Sequence, residues 1–153
     1  MKNKKNILQL ERFLPYKLAT LSNRISSAIA ALYEQQFNIS LPEWRVMAIL
    51  GEYPNISARQ VAFRTAMDKV AVSRAVNKLL DRGFLVRDMA DDDRRRSILS
   101  LSDSGAEAYD RIVPLALSYE KQIIDQIDHD DLDELYALLD KLEEIQLHLG
   151  DDK

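Results

Sequence analysis

Of 153 residues, 46% are apolar and 30% charged, the balance of a globular chain with a core to bury and not of a disordered or membrane one. The chain has no cysteine, which excludes disulfides, thiolate zinc sites, cysteine nucleophiles and thiol redox sensing. The net charge of −4 hides an asymmetry: residues 1–53 hold 7 Lys/Arg against 4 Asp/Glu, residues 54–102 hold 10 against 6, and residues 103–153 hold 4 against 15.

The chain opens on three lysines within Met1–Asn6, and the apolar stretch after them is broken by Gln9, Glu11 and Arg12. A signal peptide needs an unbroken apolar core, and no window approaches the roughly 20 apolar residues of a membrane span. The expected compartment is therefore the cytoplasm. Leu18, Leu21, Ile25, Ala28 and Leu32 recur at 3-4-3-4 spacing, an apolar stripe on a long first helix. That helix begins near Ile7–Glu11 or, if Pro15 is its true start, there, and Asn38 stops it.

Ser40-Leu41-Pro42-Glu43 and Ser57-Ala58-Arg59-Gln60 are capping-box patterns. Each opens a helix: one runs through Trp44, Val46, Met47, Ile49 and Leu50, and the other is short and ends in the turn Thr65-Ala66-Met67. Asp68 caps a further helix whose inner side is Val72, Val76, Leu79 and Leu80 and which stops at Gly83. There the period changes from 3.6 to 2. Residues 84–87 and 97–101 read as two strands of a hairpin around the charged loop 88–96. Ser102–Gly105 begins a long helix with Ile112, Leu115, Tyr119, Ile123 and Ile127 on one face, and Asp131–Glu134 opens a last helix.

The expected fold is mainly α, an α+β winged helix: a helix-turn-helix with a β-hairpin wing, flanked by long N- and C-terminal helices. Residues 1–38 and 103–153 form the helical dimerisation region and 39–102 the winged region, within one structural domain overall. A single winged domain cannot cover the apolar stripes of the flanking helices, so a homodimer is expected. The helix from Asp68 turns outward Lys69, Ser73 and Asn77 at i, i+4 and i+8, with Arg74 and Lys78 beside them. These side chains suit base edges and phosphates of double-stranded DNA. Arg94, Arg95 and Arg96 stand at the wing tip; Arg95 is expected to enter the electronegative minor groove, with Arg94 and Arg96 clamping phosphates. Asp93 is expected to brace Arg95, and Ser57 and Arg59 to fix the DNA backbone.

The segments LPEWRVMAIL (41–50), SARQVAFRTAMDKVAVSRAVNKLLDRGFLVR (57–87) and DRRRSILSLSDSG (93–105) resemble the multiple-antibiotic-resistance regulator (MarR) family of winged-helix proteins. The family pattern is met at Asp93, Arg94, Arg95, Leu101, Ser102 and Gly105; the usual wing proline is absent, and the wing is rich in Asp. The resemblance implies a dimeric repressor of a pseudo-palindromic operator, released by a small ligand, aromatic or phenolic in related proteins. Trp44 and Met47 would border such a ligand, with Tyr16, Tyr33 and Tyr109 as polar handles, although Trp and Met equally suit plain core packing.

His129 and His148 are 19 residues apart with no ligand spacing around them, so no metal and no cofactor is expected. Neither a nucleophile–base pair nor a Gly-rich phosphate loop is present, which argues against an enzyme. The competing reading is a winged helix that serves as a protein-interaction module without specific DNA binding.

Overall fold

The computed structural model describes residues 7–90 and 96–145. A 3-10 turn at Leu10–Arg12 leads into α1 (Leu14–Phe37), and Pro15 lies in the first turn of α1, so it marks the true start and not a kink. Asn38 ends α1 in the left-handed conformation, as an amide side chain tolerates. Both expected capping boxes form. Ser40 accepts from the Glu43 N–H ahead of α2 (Leu41–Glu52), and Ser57 accepts from the Gln60 N–H ahead of α3 (Ala58–Thr65), with each N3 side chain returning the bond. Ala66 takes positive φ at the turn, and Asp68 caps α4 (Lys69–Asp81) by accepting from the Ala71 N–H at 2.8 Å.

The hairpin pairs β1 (Leu85–Met89) antiparallel with β2 (Ser97–Leu101), Leu85 opposite Leu101 and Met89 opposite Ser97. The first strand thus starts one residue later and runs two further than its apolar pattern suggested, because cross-strand pairing carries Asp88 and Met89. Ile56 adds a one-residue third edge: the Leu99 N–H donates to the Ile56 carbonyl at 2.8 Å, and the Asn55 N–H donates to the Leu99 carbonyl. This bridge ties the entry to α3 to the second wing strand.

The next helix is α5 (Asp103–Ile124), so Ile127, read as part of its stripe, lies beyond its end. Ser102 Oγ donates to the Gly83 carbonyl and accepts from the Gly105 N–H, joining the end of the α4 turn to the start of α5. A Cβ on Gly105 would collide with the Phe84 carbonyl. α6 (His129–Glu144) begins two residues before the expected Asp131, because Asp128 occupies the cap position and Asp130 and Asp131 complement the positive end of the helix.

Two compact units divide the chain, one up to Leu115 and one from Ala116. The core of the first unit is one cluster, led by Tyr33, Ile39, Val46, Met47, Leu50, Val61, Val72, Val76, Leu79, Leu99 and Ile112. α4 supplies its aliphatic side and is packed against α2, α3 and β1. In the same unit Ile7, Leu8, Leu10, Phe13, Leu14, Leu18 and Leu21 stay exposed. Within the second unit no residue of α6 is buried, and Leu135, Tyr136, Leu138 and Ile145 are exposed.

Candidate nucleic-acid interface

At about 100° per residue, α4 displays Lys69, Ser73, Asn77, Val70, Arg74 and Lys78 in that angular order across its outer half. Val72, Ala75, Val76 and Leu79 occupy the opposite half and are buried. All six outward residues are exposed. The predicted row proves to have two flanks. Lys69, Ser73 and Asn77 line a groove of about 270 Å³ shared with Ala58, Arg59 and Ala62 of α3 and with Arg87 of β1. Arg74 and Lys78 line a separate groove of about 200 Å³ beside Ser40 and Pro42 at the start of α2. Arg59 therefore shares one groove with Lys69, Ser73 and Asn77.

Ser57, by contrast, is committed to its helix. Its hydroxyl accepts from the Gln60 N–H at 3.2 Å, and its own N–H donates to Gln60 Oε1 at 2.9 Å. On the wing, Arg96 is exposed and its carbonyl accepts from the Ala90 N–H at 2.9 Å. Asp93, Arg94 and Arg95 lie outside the described residues.

Two residues escaped sequence reasoning. Val70 is 59% exposed on the crest of α4, an apolar member of a polar row, of the type that meets thymine methyls. Arg87 was read only as a strand residue, yet strand alternation could have found it. It shares the face of the buried Leu85, two residues earlier, and pairs with the buried Leu99.

A latch holds this face to the rest of the first unit. Arg82, the C-cap of α4, donates through its guanidinium to the Asn38 carbonyl at 2.6 Å and the Phe37 carbonyl at 3.0 Å. It also pairs with Glu43 at 3.3 Å and stacks over the Phe84 ring. Glu43 is 5% exposed and is the one charged residue in the described core.

Around Trp44 an aromatic stack forms. Its ring lies 5.6 Å from Tyr33 and 5.8 Å from Tyr109. Trp44 is half-buried, whereas Met47 is fully enclosed in the core and Tyr16 is exposed. The Tyr33 hydroxyl is buried with no hydrogen-bond partner among the described residues, and burial pushes its pKa up to about 12. Because the folded value exceeds the usual 10, the contribution of this phenol to stability is complete below pH 10 and is lost as pH rises through 12. Tyr33→Phe is expected to keep or raise stability at pH 7 by up to about 1 kcal/mol, by removing an unsatisfied hydroxyl. It should also flatten the loss between pH 10 and 12, as denaturant titrations of both proteins at pH 8 and 11.5 would measure.

His129 opens α6 and is exposed; His148 lies outside the described residues. Among the described residues no group of three His, Asp or Glu side chains converges as a metal site, and no helix is long and apolar enough to cross a membrane.

Comparison with known proteins places this geometry. The MarR family model matches residues 37–96. The HTH-type transcriptional regulator BilQ of Clostridium symbiosum is 28% identical over 108 residues, covering 71% of this chain and 75% of that protein. The crystal structure of a MarR/EmrR family regulator from Acinetobacter sp. ADP1 superposes with a TM-score of 0.82 at 27% identity, over 89% of this chain and 96% of that one. The PcaV regulator of Streptomyces coelicolor, solved in complex with its natural ligand, shares the fold at a TM-score of 0.71 and 20% identity, over 92% and 98%. Residues 37–96 thus carry the MarR family pattern, and the fold is that of MarR-family winged-helix regulators.

Proposed function

We propose that the protein acts as a homodimer that binds a pseudo-palindromic operator on double-stranded DNA, represses the adjoining gene, and is released by a small aromatic or phenolic molecule. The observation that carries this reading is the outer face of α4. Lys69, Ser73, Arg74, Asn77 and Lys78 are all exposed there, with no carboxylate among them before Asp81. Such a helix enters the major groove with its N-terminal residues at the base edges. Two copies related by a two-fold axis would set their α4 helices one duplex turn apart, roughly 34–36 Å. The exposed apolar run from Ile7 to Leu21 supports the dimer, being more apolar surface than a monomer ordinarily leaves to water.

The effector's place is the Tyr33–Trp44–Tyr109 stack. Its rings, with Trp44 half-buried, offer a flat apolar contact to a phenol or aromatic acid, with Met47 as backing in the core and not as a contact.

The test is selection of duplexes from a random-sequence pool, followed by salt-titrated binding of the selected site. A palindromic consensus, bound with an affinity that falls steeply with salt, is the expected result. Alanine at Asn77 should then relax preference at one base pair per half-site and cost about 1–3 kcal/mol there. Phe63, 88% exposed on α3, favours a protein partner instead. Absence of any selected consensus, together with salt-insensitive capture of a protein, would replace the DNA reading with that one.

A further inference from the structure

The groove between α3, α4 and β1 gathers three cations, Arg59, Lys69 and Arg87, around a floor of Ala58, Ala62, Val72 and Val76. No acid is among the nine lining residues. The nearest carboxylates in sequence are turned to other tasks: Asp68 accepts from the Ala71 N–H, and Asp88 accepts from its neighbouring Met89 N–H on the opposite face of β1. Arg59, Lys69 and Arg87 form no ion pair or hydrogen bond with the described residues. Three like charges converging on one concavity repel, and the mutual cost is relieved by an anion held between them. Guanidinium and ammonium groups are donors only, and a phosphodiester answers them with acceptor oxygens and a full negative charge.

We propose that this groove is a phosphate clamp. In it Arg87 of the wing strand and Arg59 of α3, with Lys69, hold one backbone phosphodiester of the operator, while Ser73 and Asn77 reach the bases beside it. Arg87 is thereby a DNA-positioning residue supplied by the sheet and not by the wing tip, and its strand register fixes the angle between α4 and the duplex backbone. The inference rests on the DNA-binding reading, and its ligand chemistry, a phosphate, could also come from free inorganic phosphate.

The experiment compares the wild-type protein, Arg87→Ala and Val86→Ala, position 86 facing the other side of β1. Each is titrated with the selected duplex and a scrambled duplex across a range of salt concentration. Arg87→Ala is expected to weaken both duplexes by the same factor, about tenfold at low salt, and to reduce the slope of log affinity against log salt by about one. Val86→Ala should change neither. A scan of single methylphosphonate substitutions should then find one phosphate per half-site whose neutralisation weakens the wild type and not Arg87→Ala.

Unchanged affinity and slope in Arg87→Ala would overturn the clamp, as would a loss confined to the selected duplex with the slope intact, the mark of a base contact. Competition by inorganic phosphate beyond that of chloride at equal ionic strength, lost in Arg87→Ala and joined to a flat methylphosphonate scan, would assign the groove to the free ion and overturn it too. If Arg87→Ala melts below the assay temperature, Arg87→Gln, which keeps the stem, takes its place in every arm. Failure of the wild type to bind any duplex would remove the DNA reading itself; wild-type binding with an indifferent Arg87 variant removes only the clamp.

Discussion

Leu18→Asp combined with Leu21→Asp is expected to yield a folded monomer whose affinity for the operator is lower by about 100-fold or more. Both leucines belong to the 3-4 stripe of α1 and are exposed within their own chain, 42% for Leu18 and 56% for Leu21, so charging them should leave the core untouched. In a homodimer they would be covered by the second copy. At about 1.5–3 kcal/mol for each leucine taken from water, a symmetric interface that counts each residue twice loses several kcal/mol and gains four carboxylates in an apolar seam. Two linked half-site contacts bind far more tightly than one, because the second is made at high effective concentration. Analytical ultracentrifugation, operator titration and far-UV circular dichroism check the three parts separately. A variant that still sediments as a dimer would move the interface elsewhere, and a monomer with full affinity would sink the dimeric reading.

The parts of this molecule legible in the sequence are those decided within a few residues. Ser40 with Glu43 and Ser57 with Gln60 are three apart, so their capping boxes could be read as letters and are found as bonds. The two faces of α4 followed from its 3.6-residue period in the same way, and the long apolar runs located the core helices. Contacts that close over long loops were not legible. Ile56 meets Leu99 across the wing, and nothing around Ile56 marks it as a strand. The splitting of the outer row of α4 into two flanks also depends on neighbours: α3 and β1 wall one side of α4, and the start of α2 walls the other. Arg87 joins the groove because alternation in β1 puts it on the face of Leu85, beside α4; the alternation is legible in the sequence, but the neighbour it faces is not. Pro15 is ambiguous for a related reason, since proline fits a first turn as well as a kink; it stands in the first turn of α1.

Arg82 shows how much a long-range contact can carry, and Arg82→Ala is expected to destabilise the protein by about 2–4 kcal/mol. The guanidinium bonds the carbonyls of Phe37 and Asn38, which close α1 and would otherwise lack a partner from their own helix. It also neutralises Glu43, whose carboxylate is needed locally, because Glu43 Oε2 accepts from the Ser40 N–H in the capping box. Removing the arginine therefore leaves a nearly buried carboxylate without a counter-charge as well as losing two charge-assisted hydrogen bonds. Breaking a fully buried pair costs about 3–5 kcal/mol; Arg82 is 32% exposed at its side chain, so water recovers part of the loss. Arg82→Lys should rescue only a fraction, since an ammonium cannot reproduce the forked contact to three acceptors. In the background of Glu43→Gln the cost of Arg82→Ala should shrink by about 1 kcal/mol or more, the signature of a coupled pair. Urea titrations of the four proteins measure this cycle, and strictly additive losses would show that the ion pair contributes nothing. The latch also joins the end of α1 to the C-terminus of α4. Arg82→Ala should accordingly weaken operator binding at temperatures where it remains fully folded, because the C-terminus of α4 then loses its tie to the end of α1.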